Sequence, residues 1–189
     1  MSSSGPSSSK SAAPLTVSRE ELLRDGSDFE FRRMVHLFFA FLARHEAVRD
    51  GHARVIGLPG VDYTVLIAIS HLNAGGETVS VNRLSEHLRL SGAFITTVTN
   101  RLAKAEIINK VADTEDRRRV CLTLAPAGRE MLERLAPTQR QVNDLQFAPV
   151  GSEDLDYLVN MLERLVDSSE TALKLQDYLS AQASAKAGE

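Results

Sequence analysis

The sequence predicts a mainly α-helical (α+β) protein, in which a helix-turn-helix and a two-stranded hairpin lie between long N-terminal and C-terminal helices. Apolar residues recur at helical spacing over about 29–48 and again from 152 to 179. Two shorter helical segments, 82–88 and 91–106, are joined by a tight turn. Two β-prone runs follow, with a polar and charged stretch between them. This order is that of a winged helix-turn-helix inserted between terminal helices.

Length and composition limit the class of protein. The 189 residues suffice for one domain with a hydrophobic core, and 43% hydrophobic with 25% charged residues is ordinary for a globular protein. No apolar run approaches the ~20 residues of a membrane span, and residues 1–14 lack the apolar region of a secretory signal. The single cysteine, Cys121, excludes an internal disulfide and fits a reducing compartment. We therefore expect a cytoplasmic protein with no membrane partner.

The sequence carries no enzymatic or metal-binding motif. A Gly-rich phosphate loop and a nucleophile elbow are both absent. His36, His45 and His52 are nine and seven residues apart, which is not the spacing of a short-range ligand pair. We therefore expect no enzymatic activity, no cofactor and no metal site.

The predicted organisation has one tail and one domain. Residues 1–14 are rich in Ser and hold almost nothing to bury, so they are predicted to be a disordered tail. Residues 15–189 are predicted to form a single domain. Within it, 28–50 and 126–180 are expected to be dimerisation helices, and 62–125 the winged-helix lobe. Pro126 suits the first turn of the helix that it begins.

Local patterns place the elements of the lobe. Asp62 can cap the second helix, and residues 78–81 are β-prone enough to predict a short strand. Ser91 is a candidate N-cap for the helix that follows it. The two β-prone runs, 107–111 and 120–124, predict a hairpin, and the second alternates apolar with polar residues as a half-buried strand does.

The distribution of charge favours a nucleic-acid partner more than the net charge does. The chain as a whole carries −3. Residues 78–120, however, hold eight basic and five acidic residues, a net charge of +3. A modestly basic middle therefore lies within an acidic chain, which is compatible with binding a polyanion.

The outward face of helix 91–106 suits the major groove of DNA. With Ile95, Val98 and Leu102 facing inward, the opposite face carries small residues, hydroxyls, an amide and cations, and no acidic side chain. An ordinary solvated face mixes Glu with Lys, so this composition favours DNA contact over a polar face without a ligand. The candidate contacts are Ser91, Gly92, Ala93, Thr96, Thr97, Asn100, Arg101 and Lys104.

A second candidate DNA contact is the tip between the β-prone runs, formed by Asp116, Arg117, Arg118 and Arg119. Three consecutive arginines repel one another unless phosphates or a narrow minor groove neutralise them. Asp116 can pair with one arginine and fix its direction. A solvated charge cluster is the alternative, but the preceding helix favours a protein that contacts two grooves.

Residues about 62–135 resemble the MarR family of bacterial transcriptional regulators. The resemblance rests on LS at 90–91, TVTNRL at 97–102, EDRRR at 115–119 and LTLAPAGR at 122–129. It implies that these segments form a recognition helix, a wing whose Asp-Arg pair positions an arginine in the minor groove, and the start of a long dimerisation helix.

Two positions depart from the family pattern. Glu106 stands where the family usually has Gly, which leaves the shape of the turn after the recognition helix open. Ala125 stands where the family usually has Thr, so a helix cap is missing at a cost of ~1 kcal/mol. Neither position belongs to the DNA-reading face.

The resemblance implies three partners in a bacterial cytoplasm. These are double-stranded DNA with a near-palindromic site, a second copy of the chain, and a small effector such as an aromatic acid or an acyl-CoA thioester. The apolar surface of the terminal helices independently favours a homodimer, because a small winged helix alone could not cover it. The function expected is that of a ligand-responsive repressor. The alternative is a winged-helix protein-interaction module without specific DNA binding.

The effector is expected between the dimerisation helices and the DNA-binding lobe. An acidic aromatic ligand needs a cation and an apolar wall. The candidate lining residues are Arg32, His36, Phe39, Arg44, His45 and Tyr63.

Overall fold

The computed structural model describes residues 14–112 and 120–187, and the chain divides into two units between 136 and 137. A short 3-10 turn, Glu20–Leu22, precedes the longer elements. In chain order these are α1 (Phe29–Val55), α2 (Gly60–Ala74), α3 (Val81–Leu88), α4 (Gly92–Lys104), β1 (Ile108–Ala112), β2 (Val120–Leu124), α5 (Pro126–Gln146) and α6 (Ser152–Ala187).

The core of the first unit is built around α2, which is apolar on most of its circumference. Val65, Leu66 and Ile69 of this helix are fully buried. The apolar faces of α3 and α4 and one residue of β2 pack against it, and the fully buried members are Leu84, Ile95, Val98, Leu102 and Leu122. The three residues predicted to form the inner face of α4 are therefore core residues, and the opposite face of α4 is left to solvent.

Caps and a left-handed residue define the helix-turn-helix. The Ser80 side chain accepts the N–H of Arg83 at the start of α3. Arg89 ends α3 in the left-handed conformation, with φ 54°. Ser91 then accepts the N–H of Phe94 at 3.3 Å, which confirms it as the N-cap of α4. The tight turn between the helices is thus encoded within three residues.

The hairpin is antiparallel, and its register runs from Ile108 paired with Leu124 to Ala112 paired with Val120. The predicted second strand, 120–124, is confirmed at both ends. The Leu122 N–H also donates to the Val79 carbonyl oxygen at 2.8 Å, which ties the hairpin to the segment before α3.

Three predicted local features are wrong. The first helix does not end near residue 48 but continues to Val55. His52 and Ala53 are buried near Tyr63 and Leu135, and this burial outweighs the helix-breaking tendency of Gly51. Asp62 is not an N-cap, since α2 begins two residues earlier. Residues 78–81 form no strand, because Val79 is buried in the core and Ser80 caps α3.

The turn after α4 keeps the shape that Gly would give. Glu106 adopts φ 58°, in the left-handed region. Its N–H donates to the Ala103 oxygen, and the Ile107 N–H donates to the Leu102 oxygen at 2.9 Å. These two bonds are those of a Schellman motif, so the helix ends in the usual way with a residue that is strained at this position.

The terminal helices leave large apolar side chains exposed in this single chain. In the first unit, α1 exposes more than half of Phe29, Leu37, Phe39 and Leu42. In the second unit, α6 has no buried residue and exposes a long apolar stripe, which includes Leu155, Leu158, Leu162, Leu165, Leu173 and Leu179.

Within residues 14–112 and 120–187 no single helix is long and apolar enough to cross a membrane. Together, α1 and α2 have the length and composition of one span, but they are bent by 91° relative to each other.

Candidate nucleic-acid interface

The eight candidate residues of the recognition helix lie at or near the surface. Gly92 is half-buried, and the other seven are exposed. The core packing of Ile95, Val98 and Leu102 fixes which side of α4 is turned outward. The exposed side holds no carboxylate between residues 91 and 104. This surface can therefore approach a polyanion without charge repulsion.

The two threonines on this face use their hydroxyl protons within the helix. Thr96 Oγ1 donates to the Gly92 oxygen at 2.8 Å, and Thr97 Oγ1 donates to the Ala93 oxygen at 3.1 Å. Threonine in a helix commonly bonds to the carbonyl four residues earlier. Neither hydroxyl is therefore left as a donor for a base edge.

Asn100 is oriented by a lysine on the hairpin. Lys110 Nζ, on β1, donates to Asn100 Oδ1 at 2.6 Å and to Thr99 Oγ1 at 3.1 Å. Because an ammonium can only donate, the amide oxygen must face Lys110, and the Asn100 NH₂ group is left to point away from it. Burial lowers the pKa of Lys110.

Arg101 is anchored to α2. Its Nε donates to Asp62 Oδ2 at 2.7 Å, and its Nη2 pairs with Asp62 Oδ1. The Asp62 side chain is only 3% exposed, whereas that of Arg101 is 50% exposed. The hydrogen bonds that the guanidinium donates to Asp62 raise the pKa of Arg101. A bidentate pair of this kind fixes the recognition helix relative to α2, in addition to the apolar contacts.

Lys104 differs from Arg101 in having no hydrogen-bond or ion-pair partner among residues 14–112 and 120–187. It lies one turn after Asn100 on the same face. It is therefore the cation of α4 that is best placed to meet a phosphate.

The predicted wing residues Asp116, Arg117, Arg118 and Arg119 lie outside the described residues. The paired strand ends that flank them, Ala112 and Val120, are described. Their proposed contact with DNA stays a prediction.

The six candidate effector residues do not gather around one site in the single chain. Arg32 pairs with the buried Asp28 at 2.7 Å. Arg44 Nη1 donates to the Ala40 oxygen of its own helix at 2.7 Å. His36 and Phe39 are both exposed on α1, while the ring of His45 stacks on Phe41 and Tyr63 is buried beside His52. The effector pocket therefore stays a prediction.

Sequence reasoning missed three residues of the candidate interface. Asp62 and Lys110 were not recognised because their partners are 39 and 10 residues away in the chain. Phe94 was not singled out, although it is 43% exposed at the N-terminal end of α4. The sequence did offer a signal for Phe94, because it is an aromatic residue in a helix whose core positions are already filled by other residues.

Comparisons with known proteins point to one family. The model of the MarR family matches residues 63–120. The HTH-type transcriptional repressor NicR of Pseudomonas putida is 23% identical over 149 residues, which cover 78% of this chain and 92% of NicR.

Solved structures show the same fold. BpsR of Bordetella bronchiseptica, whose DNA binding is regulated by 6-hydroxynicotinic acid, matches with a TM-score of 0.54 and 23% identity over 70% of this chain and 91% of BpsR. The MarR regulator of Oenococcus oeni matches with a TM-score of 0.57 and 16% identity over 71% of this chain and 98% of the regulator. These matches confirm the predicted mainly α-helical, winged helix-turn-helix fold.

Proposed function

We propose that this chain, of which residues 63–120 match the model of the MarR family, is a DNA-binding repressor that binds a near-palindromic operator as a homodimer and releases it when a small effector binds. The observation that carries the proposal is the outward face of α4, which is exposed, free of carboxylates and held in place by Asp62. A helix with these properties fits the major groove, where it meets base edges and phosphates together.

The DNA-binding proposal predicts a specific dependence on salt. The full-length chain should enrich a duplex from a randomised library, and log K for that duplex should fall linearly with log salt concentration. Lys104→Met should make the slope shallower by about 1.8, because each of the two protomers of the proposed dimer loses one phosphate contact. Fluorescence anisotropy at four or five salt concentrations measures both slopes.

A matched lysine provides the control for this experiment. Lys174 is an exposed residue of α6, so Lys174→Met removes the same charge far from α4 in sequence and should leave the slope unchanged. A salt-independent affinity, or failure to enrich any duplex, would instead favour a winged-helix protein-interaction module.

The homodimer is supported by the apolar residues that a single chain exposes. Leu155, Leu158 and Leu162 of α6 are 55%, 41% and 48% exposed and follow one another at helical spacing. A continuous apolar stripe of this length is unfavourable in water and is typical of an interface. Two-fold pairing would also place two recognition helices about 34 Å apart, one turn of DNA.

Sedimentation measures this assembly directly. The full-length chain should sediment as a dimer at micromolar concentration, and Leu162→Glu should shift it toward the monomer and weaken DNA binding at least tenfold. Asn160→Glu introduces the same charge at another exposed position of the same helix and serves as the control. A stable monomer of the unaltered chain would contradict the proposal.

The proposed effector is a small aromatic carboxylate. The regulation of BpsR by 6-hydroxynicotinic acid supports this class over the acyl-CoA thioesters that the sequence left open. Arg44 is the proposed cation for the effector carboxylate, because its guanidinium bonds to a backbone carbonyl of its own helix and its charge is not paired among the described residues. Arg32, by contrast, is already paired with a buried carboxylate.

Titration with 6-hydroxynicotinic acid tests the effector class. The acid should weaken binding to the enriched duplex about tenfold, which is within the usual range of allosteric coupling. Arg44→Gln should abolish this response while the affinity without effector is retained. A response to acyl-CoA thioesters and none to aromatic acids would overturn the proposed class.

A further inference from the structure

The N-terminal half of the recognition helix presents methyl groups and a ring where a DNA-reading helix often presents donors. Ala93, Thr96 and Thr97 are exposed at positions i, i+3 and i+4, which form one continuous face. Phe94 is 43% exposed and lies at the edge of that face. Since the hydroxyl protons of both threonines go to backbone oxygens at 2.8 and 3.1 Å, the γ-methyl groups are the parts of these side chains turned outward.

This face lacks the groups that recognise guanine. The commonest specific contact to guanine is a bidentate donor, from Arg or Lys, to O6 and N7. Between residues 93 and 97 no side chain keeps a free donor. Apolar side chains such as Ala, Phe and the methyl of Thr are instead suited to the C5-methyl group of thymine.

Asn100 adds one donor beyond this apolar face. Lys110 holds the Asn100 amide oxygen at 2.6 Å, so the NH₂ group is the free part of that side chain. A lone amide donor fits an acceptor on a base edge, such as thymine O4 or a purine N7. The outward face of α4 therefore has two parts. Its N-terminal end is apolar, and a single donor group, the NH₂ of Asn100, follows about one helical turn later.

From this arrangement we infer that each operator half-site is read through thymine C5-methyl groups, which pack against the methyls of Thr96 and Thr97, Ala93 and the Phe94 ring. The inference rests on the proposed DNA-binding function and names the base chemistry that α4 recognises. A C5-methyl is also carried by 5-methylcytosine, and thymine is the source to which we commit.

Uracil substitution tests the inference, because uracil differs from thymine only in the missing methyl. The full-length chain is used to enrich a duplex from a randomised library, and each thymine of that duplex is replaced singly by uracil. At one or two positions in each half-site, uracil should raise Kd about fourfold, the effect expected for one buried methyl group. Replacement outside the half-sites should have no effect.

A protein variant identifies the side chain that meets the methyl. Thr97→Ser keeps the hydroxyl that bonds to Ala93 and removes only the γ-methyl. It should weaken binding to the thymine duplex about fifteenfold, because one methyl contact worth about fourfold is lost in each half-site, and it should lose its sensitivity to uracil at the contacted position. Thr78→Ser makes the same change at an exposed residue outside α4 and should behave as the unaltered chain does.

The outcomes separate this inference from the proposed function. Failure to enrich or bind any duplex would overturn the proposed function itself. Specific binding with no effect of uracil at any position would overturn the inference and leave the function standing. If the effect of uracil persisted unchanged in both Thr97→Ser and Phe94→Ala, this face of α4 would not be the surface that contacts the thymine methyl.

A second library distinguishes the two sources of the methyl group. When cytosine is replaced throughout by 5-methylcytosine, the enriched motif should keep thymine at the contacted positions. A motif in which 5-methylcytosine takes the place of thymine would overturn the commitment to thymine.

Discussion

Replacing Arg101 with Met is expected to lower the free energy of unfolding by about 3 kcal/mol, whereas Asp62→Asn should cost only about 1 kcal/mol. The asymmetry follows from the unequal burial of the two side chains, 3% exposed for Asp62 and 50% for Arg101. Without Arg101, a buried carboxylate loses both of its hydrogen bonds. Without the charge of Asp62, the guanidinium remains half in water and can be hydrated.

Urea denaturation measures both values, and it is done at fixed protein concentration because the stability of the proposed homodimer would depend on concentration. Lys104→Met is the control for loss of a cation from the same helix, and it should change stability by less than 0.5 kcal/mol, as for an ordinary surface substitution. Equal losses for Arg101→Met and Asp62→Asn would show that the pair behaves as a surface ion pair, with no buried member.

The same pair qualifies the predicted role of Arg101 in DNA binding. Two of its donors are directed at Asp62, 39 residues earlier in the chain. If this pairing persists on DNA, Arg101 contributes to affinity mainly by orienting α4, and Lys104 contributes the larger share of the salt dependence. The two cations of α4, which the sequence places together, thus have different environments.

Local signals allowed the helix-turn-helix and the hairpin to be predicted closely. The N-cap Ser91 and the second strand, 120–124, each follow from a pattern of a few neighbouring residues. Asp62 could not be placed in this way, because a cap and a buried ion-pair partner look the same until the fold brings Arg101 beside it. The extent of α1 was missed for the same reason, since Gly51 weakens the local signal and the burial of Ala53 is a tertiary effect.

The effector site illustrates a different limit of sequence reasoning. Periodicity shows that α1 has an apolar surface but not which element covers it. The six candidate residues include one buried residue, Tyr63, and several on different turns of α1, such as Arg32 and Arg44. Thirteen residues of helix span about 20 Å, so a small ligand could not touch both ends of that set within one chain.

Gly128→Ala is expected to destabilise the protein by about 2 kcal/mol, although alanine is the better helix former by about 1 kcal/mol. A Cβ added at Gly128 would lie 2.2 Å from the Ile107 carbonyl oxygen and 3.2 Å from its carbonyl carbon. The obstacle is backbone, and the same oxygen accepts the Ala125 N–H at 3.0 Å. The clash therefore cannot be relieved by a rotamer change and must move the start of α5 away from the Ile107 backbone.

Thermal unfolding at fixed protein concentration should show this as a fall in Tm of about 6 °C. Gly92→Ala is the matched control, because Gly92 is also in the first turn of a helix but a Cβ there would meet no atom within 4 Å. That change should be neutral or slightly stabilising. Since Ala125 lacks a capping side chain, the close approach of Gly128 to Ile107 holds the junction between the hairpin and α5. A Gly128→Ala protein as stable as the original would show that this junction can rearrange without loss of stability.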